Sequence, residues 1–137
     1  EKKKYDKTYL NLIEKINDIA GIRIVCTLKD DIFFIRDLVK QIPDIHVLKE
    51  KDYVTNPKES GYSSYHMIVE VPVKLTQKTI YVKCEIQIRT LAMDFWASFE
   101  HKVKYKTKND VNPKMSKELV SCAKMINKFD TKMINYK

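Results

Sequence analysis

The chemistry this sequence offers rests on two carboxylates and a short file of polar side chains. In Lys83-Cys84-Glu85-Ile86-Gln87-Ile88-Arg89-Thr90 apolar and polar residues alternate strictly. That pattern assigns Cys84, Ile86 and Ile88 to one face of a strand and Lys83, Glu85, Gln87 and Arg89 to the other. Asp18 stands at the mouth of an earlier strand. Asp18 and Glu85, if brought together, can hold Mg2+, an ion that takes one or two carboxylates plus substrate phosphates rather than an all-protein cage. Such an ion screens phosphates and lowers the pKa of an attacking hydroxyl. Arg23 suits stacking on a base or bidentate contact with phosphate, and Tyr62, following Gly61 in a loop, suits stacking on a nucleobase. Lys51 and Lys58 flank that loop and can meet a polyphosphate. Each residue also has an ordinary reading: Asp18 as a cap, Tyr62 as a loop anchor, His66 as a satisfied strand histidine, the lysines as solvated charge. There is no nucleophilic triad, and His46, His66 and His101 lack metal-ligand spacing with any cysteine.

The elements that must position these residues follow from periodicity. Glu1 to Asn17 predicts a basic helix with Leu10, Ile13 and Ile16 on one side. Ile19 to Thr27 predicts a strand, with Ala20, Ile22, Ile24 and Cys26 on its apolar face and Gly21, Arg23 and Thr27 on the other. Asp30 is expected to cap a helix carrying Ile32, Ile35, Leu38, Val39 and Ile42, which Pro43 stops. Asp44 to Glu50 reads as a short strand, with Ile45 and Val47 opposed to His46 and Leu48. Lys51 to Gly61 is a loop. Tyr65 to Val71 is a strand ended near Pro72, and the central strand runs from about Thr79 to Arg89. Ala92, Phe95, Trp96, Phe99 and Val103 share one face of the next helix. Met115, Leu119, Cys122, Ile126, Phe129, Met133 and Tyr136 form a heptad seam on the last, packed on the domain or on a sister subunit. The class is α/β (α+β): a mixed sheet with helices on one side and a bare face displaying Arg23, His66, Glu85, Gln87 and Arg89, with Asp18 at its edge.

Composition narrows the partners. At 137 residues the chain is one domain by size, and 44% hydrophobic with 32% charged residues excludes a disordered chain. The net charge of +8 favours anionic partners, although lysine supplies 23 of the 26 basic residues. With only two glycines a Gly-rich phosphate loop is excluded, so side chains must hold any phosphate. Cys26, Cys84 and Cys122 lie far apart in apolar patterns and read as buried thiols in a reducing cytoplasm. No apolar run reaches the length of a membrane span, and the start lacks a signal peptide's apolar segment.

Five blocks then appear in order: Asp18-Ile-Ala-Gly-Ile-Arg23, Lys51-Asp-Tyr-Val-Thr-Asn-Pro-Lys58, Gly61-Tyr-Ser-Ser-Tyr-His66, Glu85-Ile-Gln-Ile-Arg-Thr90 and Ala92-Met-Asp-Phe-Trp-Ala-Ser-Phe-Glu-His101. From about Ile13 onward the chain resembles the synthetase domain of the RelA/SpoT family, most of all the RelQ-type small alarmone synthetases. The resemblance implies a nucleotidyltransferase-like mixed sheet of about four to five strands with a long C-terminal helix. It implies a GTP pyrophosphokinase (GTP diphosphokinase) that moves the β,γ-diphosphate of ATP to the 3′-hydroxyl of GDP or GTP, making (p)ppGpp for the stringent response. By motif, Asp18 and Glu85 would be the metal and catalytic residues, with Mg2+ as cofactor and Glu85 activating the 3′-hydroxyl. Arg23 would stack on the adenine of ATP and Tyr62 on guanine. His66 and Gln87 would line the GDP/GTP site, with Lys51 and Lys58 near phosphates. It also implies a cytoplasmic homotetramer, which gives the C-terminal helix a partner.

Two departures stand against the pattern. Relatives carry an upstream helix with an Arg-x-Lys cluster, whereas only Lys2, Lys3 and Lys4 precede the match here, so a native N-terminal segment is expected ahead of Glu1. Ser63 stands where the family usually has Arg or Gln, and Tyr65 where an aliphatic residue is common. Two other readings remain open: a catalytically silent alarmone- or RNA-binding module, and an enzyme that modifies adenosine nucleotides or the 3′ end of tRNA instead.

Overall fold

The computed structural model describes residues 20–108 and 110–136. The helix expected over Glu1–Asn17 and the expected metal ligand Asp18 lie outside the described residues. The elements are β1 (Ala20–Cys26), α1 (Lys29–Gln41), β2 (His46–Asp52), β3 (Tyr65–Lys74), β4 (Thr79–Thr90), α2 (Leu91–Lys106) and α3 (Pro113–Met133), closed by a 3-10 turn at Ile134–Tyr136. The sheet has the order β1-β4-β3-β2, with β1 parallel to β4 and the other pairs antiparallel.

Register converts the alternation in the sequence into two chemically distinct faces, because residues paired across strands point to the same side. Ile22 and Ile24 pair with Ile86 and Ile88, while Tyr65, Met67 and Val69 pair with Ile88, Ile86 and Cys84. This apolar face receives Ile32 and Val39 of α1 and forms the main core with Val54 and Met93. Ile32, Met67, Val69 and Ile88 are wholly buried, each aliphatic side chain of this kind contributing about 1.5–3 kcal/mol. Tyr65, the departure from the family pattern, is buried as well. It donates to Glu50 Oε1 at 2.7 Å, and Glu50 pairs with Lys40 at 2.9 Å.

A second core joins the last two helices. Trp96 and Ala97 of α2 meet Leu119 and Ala123 of α3, with Tyr62, Val103 and Ile126 packed against them, and the Trp96 indole N–H donates to the Leu119 carbonyl at 3.0 Å. The junction is pinned by Thr90. Its hydroxyl accepts from the Met93 N–H at 3.1 Å, capping α2, and donates to Asp130 Oδ2 of α3 at 2.6 Å.

Several expectations shift. Helix α1 starts at Lys29, and Asp31 rather than Asp30 serves its N-terminus, accepting from the Leu28 N–H at 3.2 Å. The second strand runs on to include Lys51 and Asp52, with a bulge between Val47 and Lys49 that re-aims the remainder of the strand. Strand β3 continues past Pro72 to Lys74. Because β2 reaches only Glu70, the rest of β3 is paired on one side, where a residue without an N–H is tolerated. In α2 the buried face is Met93, Trp96 and Ala97, and Phe95 (70%) and Phe99 (50%) are exposed. The seam on α3 is split: Leu119 and Ile126 pack inside, whereas Phe129 and Cys122 are exposed. Of the cysteines only Cys84 is buried; Cys26 is half-buried and its thiol is pushed up to about 11, mainly by burial.

Burial also raises the pKa of Asp130, against the opposing pull of the Thr90 hydroxyl. The folded state therefore holds a proton that the unfolded chain releases near 3.8, and stability falls as pH rises from there through the raised value. Asp130→Asn keeps an acceptor for Thr90 without the buried charge. Thermal unfolding at pH 7 should show a midpoint unchanged or higher by about 2–4 °C, with a flatter pH profile. A lower midpoint with an unaltered profile would contradict this origin.

Candidate active site

The polar face of the sheet carries the residues singled out from the sequence in two adjacent rows. Arg23 of β1 pairs with Gln87 of β4, Gln87 with His66 of β3, and His66 with Lys51 of β2, so one row crosses all four strands. In the next row Gly21 lies beside Glu85. Among the described residues nothing comes within 4 Å of a Cβ placed on Gly21. Gly21, Arg23, Glu85 and Gln87 line a cleft of about 200 Å3.

Hydrogen bonds fix the protonation pattern. Glu85 Oε1 is 3.1 Å from His66 Nδ1 and accepts from the Gln87 amide at 3.2 Å. On the other side of the imidazole, Nε2 lies 2.8 Å from the Tyr62 hydroxyl. Burial, with Arg89, Lys58 and Lys51 nearby, holds the His66 pKa below its usual 6.5 against the opposing influence of Glu85. A neutral ring with Nδ1–H donating to Glu85 and Nε2 accepting from Tyr62 satisfies every partner. The contact with Glu85 is therefore a hydrogen bond from a neutral imidazole rather than an ion pair.

Arg89 was expected on the bare face, but it is buried, with its side chain only 6% exposed. Its Nε donates to Ser64 Oγ at 3.2 Å and Nη1 to Asp94 Oδ1 at 3.2 Å. Nη2 donates to the Tyr62 hydroxyl and to Gln87 Oε1, both at 2.6 Å. The correction has a simple cause: Arg89 sits at the end of β4, where the loop before β3 and the first turn of α2 close over the sheet. Arg23, by contrast, is half-exposed, with Nη1 at 3.3 Å from the same Asp94 oxygen.

The loop is held close for steric reasons. Gly61 has φ +90°, and a Cβ there would stand 2.5 Å from that of Ala123 on α3, so only glycine lets the chain pass at this distance. Tyr62 emerges in an aromatic corner with Tyr53 and His66, whose ring centroids are 6.2 and 5.7 Å away. Lys58 Nζ stands 4.8 Å from the Tyr53 ring centre and 5.0 Å from that of Tyr62. Beneath the loop lies an apolar cavity of about 420 Å3 walled by Met93, Trp96 and Ser63 among others. Among the described residues the buried Ser63 Oγ has no hydrogen-bond partner.

The structure thus brings Arg23, Lys51, Lys58, Tyr62, His66, Glu85 and Gln87 to one end of one sheet face. Asp18 alone of the expected set lies outside the described residues. Sequence reasoning missed Asp94 and Tyr53. Asp94 reads as an ordinary acid in the first turn of a helix, and its one signal is the five-residue step from Arg89 across a strand-to-helix junction.

The fixed tautomer has a measurable consequence. The His66 ring should titrate below 6.5 by NMR, and Glu85→Gln should lower it further, because the carboxylate is what favours the cation. A titration above 6.5, or one that rises in the variant, would contradict the arrangement. With its folded pKa depressed, His66 gives its full contribution to stability above 6.5 and loses it as pH falls toward the lowered value.

Comparison with known proteins places this geometry. The family profile described as "Region found in RelA / SpoT proteins" matches residues 1–110. GTP pyrophosphokinase YwaC of Bacillus subtilis is 49% identical over 124 residues, which cover 90% of this chain and 59% of that protein. The chain therefore spans about six tenths of the length of that curated relative. The crystal structure of small alarmone synthetase 2 from Bacillus subtilis superposes with a TM-score of 0.87 at 49% identity, over 90% of this chain and 68% of the other. Small alarmone synthetase 1 from the same organism, bound to its product pppGpp, gives 0.85 at 38% identity, over 93% and 66%. With a profile match over most of its length and the five motif blocks in order, the chain belongs to the RelA/SpoT family.

Proposed function

We propose that this chain is the synthetase domain of a GTP/GDP pyrophosphokinase, transferring the β,γ-diphosphate of ATP to the 3′-hydroxyl of GDP or GTP. The observation that carries the reading is the cross-sheet row: Arg23, Gln87, His66 and Lys51 side by side, with Glu85 one row away beside Gly21. Its relatives support the same reading, one of them a GTP pyrophosphokinase and another bound to pppGpp.

In this reading the half-exposed Arg23 takes the adenine of ATP, and Tyr62 takes guanine on its ring while its hydroxyl stays held by Arg89. Lys51 and Lys58 neutralise phosphate charge at the edge of the row. The 3′-oxygen of the acceptor forms a bond to the β-phosphorus of ATP as the bond from that phosphorus to the α,β-bridging oxygen breaks, and AMP leaves. Glu85 accepts the hydroxyl proton. Neutral His66, donating from Nδ1, keeps the carboxylate oriented without cancelling its charge. Positioning and charge neutralisation carry the rate, since no covalent intermediate is needed.

The residues suit Mg2+ as cofactor. His66 and Gln87 both meet Glu85 at Oε1, so neither of them engages Oε2. An ion of this kind is held by one or two carboxylates plus phosphates. Glu85 and Asp18 would hold it, and it would supply charge screening of the transferred diphosphate. Among the described residues no helix is long and apolar enough to cross a membrane, and a cytoplasmic location accords with this chemistry. The exposed Phe129 and Met125 on α3, 54% and 61% accessible, support self-association through the C-terminal helix.

Full-length protein given γ-labelled ATP, Mg2+ and GDP or GTP should produce AMP and a 3′-diphosphorylated guanosine nucleotide. Glu85→Gln should reduce kcat by about 100-fold or more. Tyr62→Ala should raise the acceptor KM by about 5- to 150-fold, the worth of one base stack, with the ATP KM little changed. Transfer to no nucleotide at all, or a Glu85 variant as fast as wild type, would remove the proposal.

A further inference from the structure

Resting on the nucleotide assignments just made, we infer that Asp94 is a positioning residue that couples the two nucleotide subsites, so that donor and acceptor each strengthen the binding of the other. The geometry is a single shared oxygen. Asp94 Oδ1 is 3.3 Å from Arg23 Nη1 and 3.2 Å from Arg89 Nη1. The two arginines differ sharply in freedom: the Arg23 side chain is 52% exposed, that of Arg89 6%. Arg23 can swing away into the cleft, whereas Arg89 is locked by Ser64, Tyr62 and Gln87.

Asp94 is itself well anchored. It lies in the first turn of α2, whose cap Thr90 is tied to Asp130 of α3, and its carboxylate accepts from the buried Arg89 at 3.2 Å, a partner that does not move with Arg23. When the Arg23 guanidinium turns to stack on the base of a donor nucleotide, Asp94 is left to Arg89 alone. An undivided carboxylate binds one guanidinium more strongly than a shared one. The firmer Arg89 then holds the Tyr62 hydroxyl and the Gln87 amide more tightly, and the ring on which the acceptor base stacks is ordered before the acceptor arrives. Linkage requires the reverse as well: an acceptor that orders Tyr62 favours the arrangement in which Arg23 is released to the donor. Ordered pairing of substrates follows without any change of fold.

The test is a pair of affinities. Calorimetry on full-length protein with Mg2+ gives the Kd for GDP alone and in the presence of a saturating non-hydrolysable ATP analogue. In the wild type the analogue should tighten GDP binding about five-fold or more, the lower end of ordinary coupling between sites. Asp94→Asn preserves shape and one acceptor but removes the charge, and should bring the ratio close to one while each nucleotide still binds. Arg23→Gln leaves Asp94 to Arg89 permanently and also weakens the donor, so without the analogue it should bind GDP nearly as tightly as the analogue-saturated wild type does. GDP affinity no better than that of free wild type counts against the coupling. A ratio of one in the wild type, or an unchanged ratio in a folded Asp94→Asn protein, overturns the coupling. Failure of wild type to bind either nucleotide would instead overturn the substrate assignment, and the coupling with it.

Discussion

The buried guanidinium of Arg89 is the interaction on which the rest of the site depends. A cation held at 6% side-chain exposure is costly unless its donors are satisfied. Here four acceptors meet it: Gln87 of β4, Tyr62 and Ser64 of the loop before β3, and Asp94 of α2. The acceptors belong to three pieces of the chain, so satisfying one charge fixes the strand end, the loop and the helix relative to one another. Tyr62 has no strand of its own to hold it. Its hydroxyl is placed by Arg89 on one side and by His66 on the other, and the His66 tautomer is placed in turn by Glu85. The chain Arg89–Tyr62–His66–Glu85 is therefore one polarised run from a fixed cation to a carboxylate.

The sheet makes this run possible through register rather than through any local motif. Gln87 stands between Arg23 and His66 because β4 is paired on both sides, parallel to β1 and antiparallel to β3. A slip of one residue in either ladder would send the polar row into the core and the isoleucines to solvent. The apolar face thus guards the polar one. Ile86 and Ile88, buried against α1 and β3, hold Glu85 and Gln87 in place from the opposite side of the strand. Gly21 lies beside Glu85 in this register, and among the described residues nothing crowds it.

Much of this was legible in the sequence. Period-two alternation showed all four strands and the faces of Arg23, His66, Glu85 and Gln87, since alternation needs no knowledge of partners; Lys51, Lys58 and Tyr62 read only as loop residues. The rest required tertiary information. Arg89 shares a face with Glu85 and Gln87, yet whether that face is open depends on what closes over the end of the strand, which periodicity does not encode. Asp94 is indistinguishable in sequence from any acid that favours a helix start. Phe95 and Phe99 follow a helical spacing, but the stripe that packs is set by where Thr90 and Trp96 are anchored, one position round the helix. The bulge after Val47 likewise has no signal in its own residues, and it moved Lys51 from loop to strand and into the row with His66.

The dependence of the site on its buried hub is most directly tested by GDP binding to Arg89→Lys, measured by calorimetry on full-length protein whose fold is verified by circular dichroism. Lysine keeps the charge but lacks the planar fork that reaches four acceptors. Loss of charged hydrogen bonds worth about 1.5–3 kcal/mol should weaken GDP about ten-fold or more, with ATP affinity changed far less. Wild-type affinity for GDP in a folded Arg89→Lys protein would contradict the central role given to this residue.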